Sequence, residues 1–358
     1  MYKSLIILVL FVICGCGGNY DIGFTDTSPI TEPLFISGTG DYHTYRIPAM
    51  VVTNKGTILA FCEGRKNSKS DTGDIDTLLR RSTDNGKTWS DVQIVADNGI
   101  NVYGNPCPVV DRQTGAIWLL STWNLGSDHE RRIIDGTSKD TRRVFITSST
   151  DDGLSWAKPK EITSDVKQPD WTWYATGPGN GIQLTKGKHK GRLIIPCDHI
   201  EAGTKKYFSH VIYSDDHGRS WQLGGSTPDD MVNECAVVQL DNGDLMLNMR
   251  NCDRTKKNRA VSISSDAGMT WSKVTHDSQL IEPICQAALI KFKNRLIFSN
   301  PASTDSRTRM TVRASADSGK TWPVEKELHA GPAAYSSLAA LKNGNIACFY
   351  EAGEKKPL

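Results

Sequence analysis

Five stretches of the chain repeat one eight-residue pattern: residues 82–89 (STDNGKTW), 149–156 (STDDGLSW), 214–221 (SDDHGRSW), 264–271 (SSDAGMTW) and 315–322 (SADSGKTW). Aspartate stands third, glycine fifth and tryptophan eighth, and five of the nine Trp in the sequence fall in these boxes. Recurrence of this kind marks a repeat architecture. The aspartate can accept hydrogen bonds from its own turn, the glycine supplies positive φ, and the tryptophan packs back on a sheet. The box is therefore a folding device, and its aspartates belong to turns rather than to chemistry.

Between the boxes lies a second repeat, a pair of β-rich runs around a polar turn. It occurs six times, at residues 49–61, 107–120, 181–196, 236–249, 287–299 and 336–350. A further run enters each box, as RRVFITSS does before Asp151 and MTVRAS before Asp317. Helical periodicity is almost absent, so the expected fold is all-β, a six-bladed β-propeller whose radial packing leaves few exposed edges. Such a repeat absorbs 358 residues in one domain, where length alone would suggest two or three.

Composition narrows the function classes. With 42 Lys and Arg against 40 Asp and Glu, the net charge of +2 gives no basic field for nucleic acid or an acidic membrane surface. Hydrophobic residues at 38% and charged residues at 23% are those of a soluble globular protein. Cysteine and histidine show no metal-ligand spacing outside the N-terminal segment, so neither a metal nor a cofactor is expected.

The N-terminus reads as an export signal. Lys3 precedes an apolar run over residues 5–13, too short to span a bilayer, and Cys14-Gly15-Cys16-Gly17-Gly18 comes next. Ile13-Cys14-Gly15-Cys16 resembles a bacterial lipobox, which makes residues 1–16 a lipoprotein-type signal with Cys16 the lipidated first mature residue. A buried N-terminal strand is disfavoured by the Gly-rich break. Residues 17–33 are expected to be a flexible tether and 34–358 the propeller. The chain stops seven residues after Glu351, so the sixth blade is expected without its last strand.

Residues equally distant from a hairpin turn are cross-strand neighbours. Glu234 and Arg250 lie eight residues either side of Asn242, and Tyr335 and Glu351 eight either side of Asn343. Arg46 lies nine before Lys55 and Arg65 ten after it. All six stand at the open ends of hairpins, which converge on one face of a radial array. Arginines gathered there repel one another unless an anion binds, so a carboxylate, sulfate or phosphate ligand is implied.

Tyr45-Arg46-Ile47-Pro48 together with the five aspartate boxes resembles the exo-α-sialidases of bacteria and animals, over about residues 34–351. The resemblance implies that Arg46, Arg250 and Arg307 grip the carboxylate of sialic acid. Arg307 is preferred to Arg309 or Arg313 because the family arginine stands six residues before the strand position that Arg313 holds. It further implies Tyr335 as nucleophile, Glu234 as its partner base, Asp71 as general acid, Glu351 as the residue orienting Arg46, and Arg65 as an additional arginine near the substrate. By spacing alone Asp74 and Asp76 rival Asp71. A tyrosine nucleophile is the known departure of sialidases from the two-carboxylate rule of glycosidases.

By the same resemblance the protein is expected to be a monomeric, metal-free enzyme that releases terminal sialic acid from glycoproteins, glycolipids and oligosaccharides. Its expected place is the bacterial cell envelope, lipid-anchored in the periplasm or at the outer-membrane surface, or else outside the cell. Trans-sialidase, intramolecular trans-sialidase and non-catalytic sialic-acid binding remain alternatives, as does a rim or core place for Trp171 and Trp173.

Overall fold

The computed structural model describes residues 4–15, 22–26 and 33–353, and they form antiparallel groups in chain order. The first group contains Thr44–Val52, Ile58–Arg65, Ile75–Ser82 and Gln93–Ala96. The second contains Val102–Val110, Ile117–Asn124, Arg143–Ser149 and Lys160–Glu161. In the third, Trp171–Thr176 and Ile182–Gln183 both pair with Leu193–Glu201, which leads to Tyr207–Ser214 and Gln222–Ser226. The fourth is Val232–Gln239, Leu245–Asn251, Asn258–Ser264 and Thr275–Ile281.

One long strand, Val324–Ala340, serves two groups. Its first part pairs with Thr308–Ser315 and closes the fifth group, which also holds Ala288–Phe292 and Arg295–Pro301. Its second part pairs with Ile346–Gly353 and opens the sixth.

Apolar clusters occupy each junction between consecutive groups. Leu119 packs with Phe61 and Leu79 between the first and second, and Trp221 with Leu120 between the second and third. Met50, Ala60 and Leu78 meet Ala339 and Phe349, which joins the sixth group back to the first. The ring is thereby closed, and the innermost strands surround one well of about 530 Å³ lined by Val51, Val109, Ile182, Val238, Ile290 and Leu338. This is a β-propeller.

The boxes explain how each turn is fixed. Ser82 Oγ accepts a 2.8 Å hydrogen bond from Gly86 N and donates to Asp84 Oδ1 at 2.8 Å. Asp84 also accepts from Thr88 N at 2.9 Å and from Thr88 Oγ1 at 2.6 Å, and these bonds recur in the other four boxes. Positive φ is needed twice, at Asn85 (60°) and Gly86 (86°), so the left-handed stretch begins one residue before the glycine. The boxes also reach their neighbours: Asp152 accepts from Thr53 Oγ1 at 2.6 Å and Thr57 Oγ1 at 2.5 Å, binding the second box to the turn of the first group.

The N-terminal segment behaves differently from the expectation that disfavoured a strand. Ser4–Gly15 lies antiparallel to Ile346–Gly353, with Ile6 opposite Glu351, beside the last hairpin. Ile22–Asp26 and Pro33–Ile36 pair with it in turn. A run rich in Ile, Val and Leu suits a strand as well as an export segment, and cleavage before Cys16 would remove this strand from beside the last hairpin. Cys16 and residues 17–21 and 27–32 lie outside the described residues.

Candidate active site

At the hairpin ends opposite the well, the strands surround a pocket of about 190 Å³ whose lining includes Arg46, Asp71, Glu234, Arg250, Arg307 and Tyr335. The innermost strands are irregular where they approach it. Register shifts fall between Arg46 and Ala49, Gly104 and Cys107, Val232 and Cys235, and Ala333 and Ser336. Bulges of this kind re-aim side chains near sites. Ile47 takes φ 58°, a costly conformation for a β-branched residue. Its N–H is held at 2.8 Å by Glu351 Oε1, while Glu351 Oε2 accepts from the Arg46 guanidinium at 3.2 Å.

Tyr335 lies at the centre. Its hydroxyl donates to Glu234 Oε1 at 2.6 Å and accepts from Arg250 NH1 at 3.2 Å, and the same Arg250 nitrogen is 2.7 Å from Glu234 Oε2. The Arg46 and Arg307 guanidinium carbons lie 5.1 and 5.6 Å from the ring centroid. Burial, reinforced by the Glu234 carboxylate, pushes the Tyr335 phenol well above its ordinary range, so it rests neutral.

Asp71 stands on the loop after Arg65, exposed to the pocket opening. Arg65 NH2 approaches its Oδ1 at 2.7 Å and Arg46 NH1 at 3.8 Å. Desolvation pushes this carboxyl up, but Arg65 and then Arg46 outweigh it and hold the group below the usual range. Arg65 is fixed from behind by Glu63 Oε2 at 2.6 Å and Lys69 O at 2.7 Å.

The competing residues fall elsewhere. Arg309 is exposed and pairs with Glu327 at 2.9 Å, and Arg313 pairs with Glu325 at 3.2 Å. Asp74 and Asp76 each accept from Lys66 Nζ at 3.1 Å. With Asp97 they are the one group of three potential ligand residues among the described residues, and Lys66 supplies its countercharge. Trp171 is buried and stacked on His199, whereas Trp173 lines the pocket under the Arg142 guanidinium.

Sequence reasoning missed Glu63, Asn105, Glu130, Arg142 and Asp198, which also line the pocket. Symmetry about a turn reveals only residues facing each other across one hairpin. A second signal was available for Glu63 and Asp198, each a lone acid inside an apolar strand run, FCEGR and IPCDH. Among the described residues, four buried polar atoms here have no hydrogen-bond partner: Arg142 Nε, Asp198 Oδ1, Asn233 Oδ1 and Arg250 Nε. Because buried polar groups are ordinarily satisfied, the pocket is shaped for a polar ligand.

Comparison with known proteins shows the family. The BNR repeat-like domain family matches residues 56–348. The chain is 34% identical to a sialidase of Micromonospora viridifaciens, covering 97% of this chain and 56% of that protein. It is also 34% identical to an exo-alpha-sialidase of Arthroderma benhamiae, over 78% of this chain and 69% of that one. A solved Hadza microbial sialidase superposes with a TM-score of 0.81 at 29% identity, covering 93% of this chain and 73% of that one. The chain thus spans little more than half the Micromonospora protein, and it belongs to the exo-α-sialidase family.

Proposed function

We propose that the protein is a retaining exo-α-sialidase built as a six-bladed propeller. The observation that carries this reading is the 2.6 Å hydrogen bond from Tyr335 to Glu234 inside a cage of Arg46, Arg250 and Arg307. The three arginines take the substrate carboxylate, and a neutral phenol attacks the adjacent anomeric carbon without the repulsion a carboxylate nucleophile would meet. Glu234 receives the phenol proton as the bond forms. Arrival of the substrate carboxylate at Arg46 offsets a cation that holds Asp71 ionised, which raises Asp71 toward the protonated state needed to release the aglycone. Asp71 then activates water, and two inversions give net retention.

NMR of sialyllactose hydrolysis tests this, since the α-anomer must be the first product. A β-anomer released first refutes the double displacement. With added lactose the same experiment separates hydrolysis from transfer, and an anhydro product marks the intramolecular reaction.

The enzyme acts as a monomer, tethered in the bacterial envelope through a lipid on Cys16. The lipobox-like Ile13-Cys14-Gly15-Cys16 supports this placement, and several acyl chains hold a protein stably where one does not. Mass spectrometry of the mature N-terminus checks it: a soluble product beginning elsewhere rejects the anchor.

A further inference from the structure

Arg307 differs from the other two arginines of the cage. Glu351 faces Arg46 at 3.2 Å and Glu234 faces Arg250 at 2.7 Å, but among the described residues Arg307 makes no ion pair within 4 Å. Its hydrogen bond to the protein runs from Nη2 to Ile284 O at 3.4 Å. Ile284 lies in residues 282–287, which belong to no strand, and takes φ 56°. A β-branched residue holds that conformation only where its surroundings fix it. Further along, the Gln286 side chain accepts from Ser336 N and donates to Ser336 O, both at 2.9 Å, so the strand that carries Tyr335 has its own fastening.

The surroundings of Ile284 are fixed by Arg259, a wholly buried side chain on Asn258–Ser264. Its Nη1 donates to Glu282 Oε2 and, at 2.7 Å, to Cys285 O, while its Nε donates to Asn248 Oδ1 at 2.7 Å. Glu282 is buried too, and its Oε1 accepts from Asn251 N at 2.7 Å, next to Arg250. One guanidinium therefore ties both ends of residues 282–285 to the fourth group. A buried ion pair is weak ground for stability, because apolar residues of like volume often replace it without loss. A rigid fork does what they cannot, which is to fix directions. We infer that Arg259 and Glu282 are positioning residues, which aim Ile284 O and through it the Arg307 guanidinium at the place of the substrate carboxylate. This deepens the sialidase reading and rests on it: Arg46 and Arg250 are oriented by carboxylates, Arg307 by a carbonyl that Arg259 holds.

Steady-state kinetics on an aryl sialoside tests this with Arg259→Lys and Glu282→Gln, each alone and combined with Arg307→Ala. Lysine lacks the planar fork that reaches Glu282 and Cys285 O together, and glutamine leaves the guanidinium without its countercharge. Each single variant is expected to lower kcat/KM about 10- to 100-fold, mainly through KM. In the Arg307→Ala background the same changes should cost under about 3-fold, because the group they aim is gone. In an Arg65→Met background the full loss should remain. Equal losses in all backgrounds, or no loss in the single variants, overturn the proposal, since a merely structural role is blind to Arg307. If Arg259→Lys does not fold, Glu282→Gln carries the cycle. A wild type that leaves the sialoside intact refutes the sialidase reading; the cycle is then run on the calorimetric Kd of free sialic acid by the same criterion, and absence of that binding overturns the positioning role as well.

Discussion

Tyr335 and Glu234 are 101 positions apart in sequence and joined by a 2.6 Å hydrogen bond in the fold. In the proposed reaction this contact carries the proton of a neutral phenol to a carboxylate that Arg250 also holds, so removing either partner blocks the same step. Tyr335→Phe and Glu234→Gln are expected to lower kcat by about a thousandfold or more while a sialic acid analogue still binds. Steady-state kinetics beside calorimetry checks this, and a Tyr335→Phe enzyme with near-normal kcat contradicts it.

Asp71 should behave as an acid whose protonated form is scarce in the free enzyme. For substrates with poor leaving groups, kcat/KM is expected to fall as pH rises above the lowered Asp71 range. Replacing Arg65 with Met removes the nearest cation, so the falling limb should move to higher pH. Asp71→Asn should be far less damaging with a phenolic leaving group than with lactose. A limb that stays in place in the Arg65→Met profile goes against the assignment.

The two neighbouring arginines give a sharp contrast. Arg307→Ala should weaken kcat/KM by about 2–5 kcal/mol, as for loss of one member of a buried charged contact. Arg309, exposed and paired with Glu327, should be replaceable with little kinetic effect. Reversal of that order moves the third carboxylate contact to Arg309.

Box aspartates should affect stability alone. Asp84→Ala removes the acceptor for Thr88 N and both hydroxyls and is expected to lower Tm by about 2–4 °C with unchanged kcat/KM. Calorimetry beside kinetics distinguishes this from a catalytic role.

His199 and His210 share a 3.0 Å Nδ1–Nδ1 hydrogen bond in a buried stack with Trp171. Burial, then Lys167, pushes His199 down to about 3, and burial, then His199 itself, pushes His210 well below its ordinary value. Their ring-proton NMR signals should therefore not titrate between pH 8 and 5. Below about pH 6.5 the unfolded chain binds protons that these folded residues refuse. Each residue's contribution to stability is thus lost as pH falls, by about 1.4 kcal/mol per pH unit.

The all-β repeat and the pocket residues at hairpin ends were legible because both depend on local spacing, whereas Asp71 and Arg307 were reached only through the family resemblance. A box dictates its own turn, and a hairpin carries Glu234 and Arg250 to the same end. Arg142 was not legible in that way: its partners Asn105 and Thr122 lie on two other strands of its own group and Trp173 on the next group, so they meet through packing beyond a single hairpin. The strand formed by Ser4–Gly15 was missed because an apolar run carries no period that separates an export segment from a strand.

Tyr335 sits within the strand Val324–Ala340, just after the point where its pairing passes from one group to the next. Asp71 belongs to no strand. The residues proposed as nucleophile and acid therefore stand on unlike supports. The strand that carries Tyr335 is hydrogen-bonded into two sheets at once, whereas Asp71 rides on a loop and is steadied only through its ion pair with Arg65.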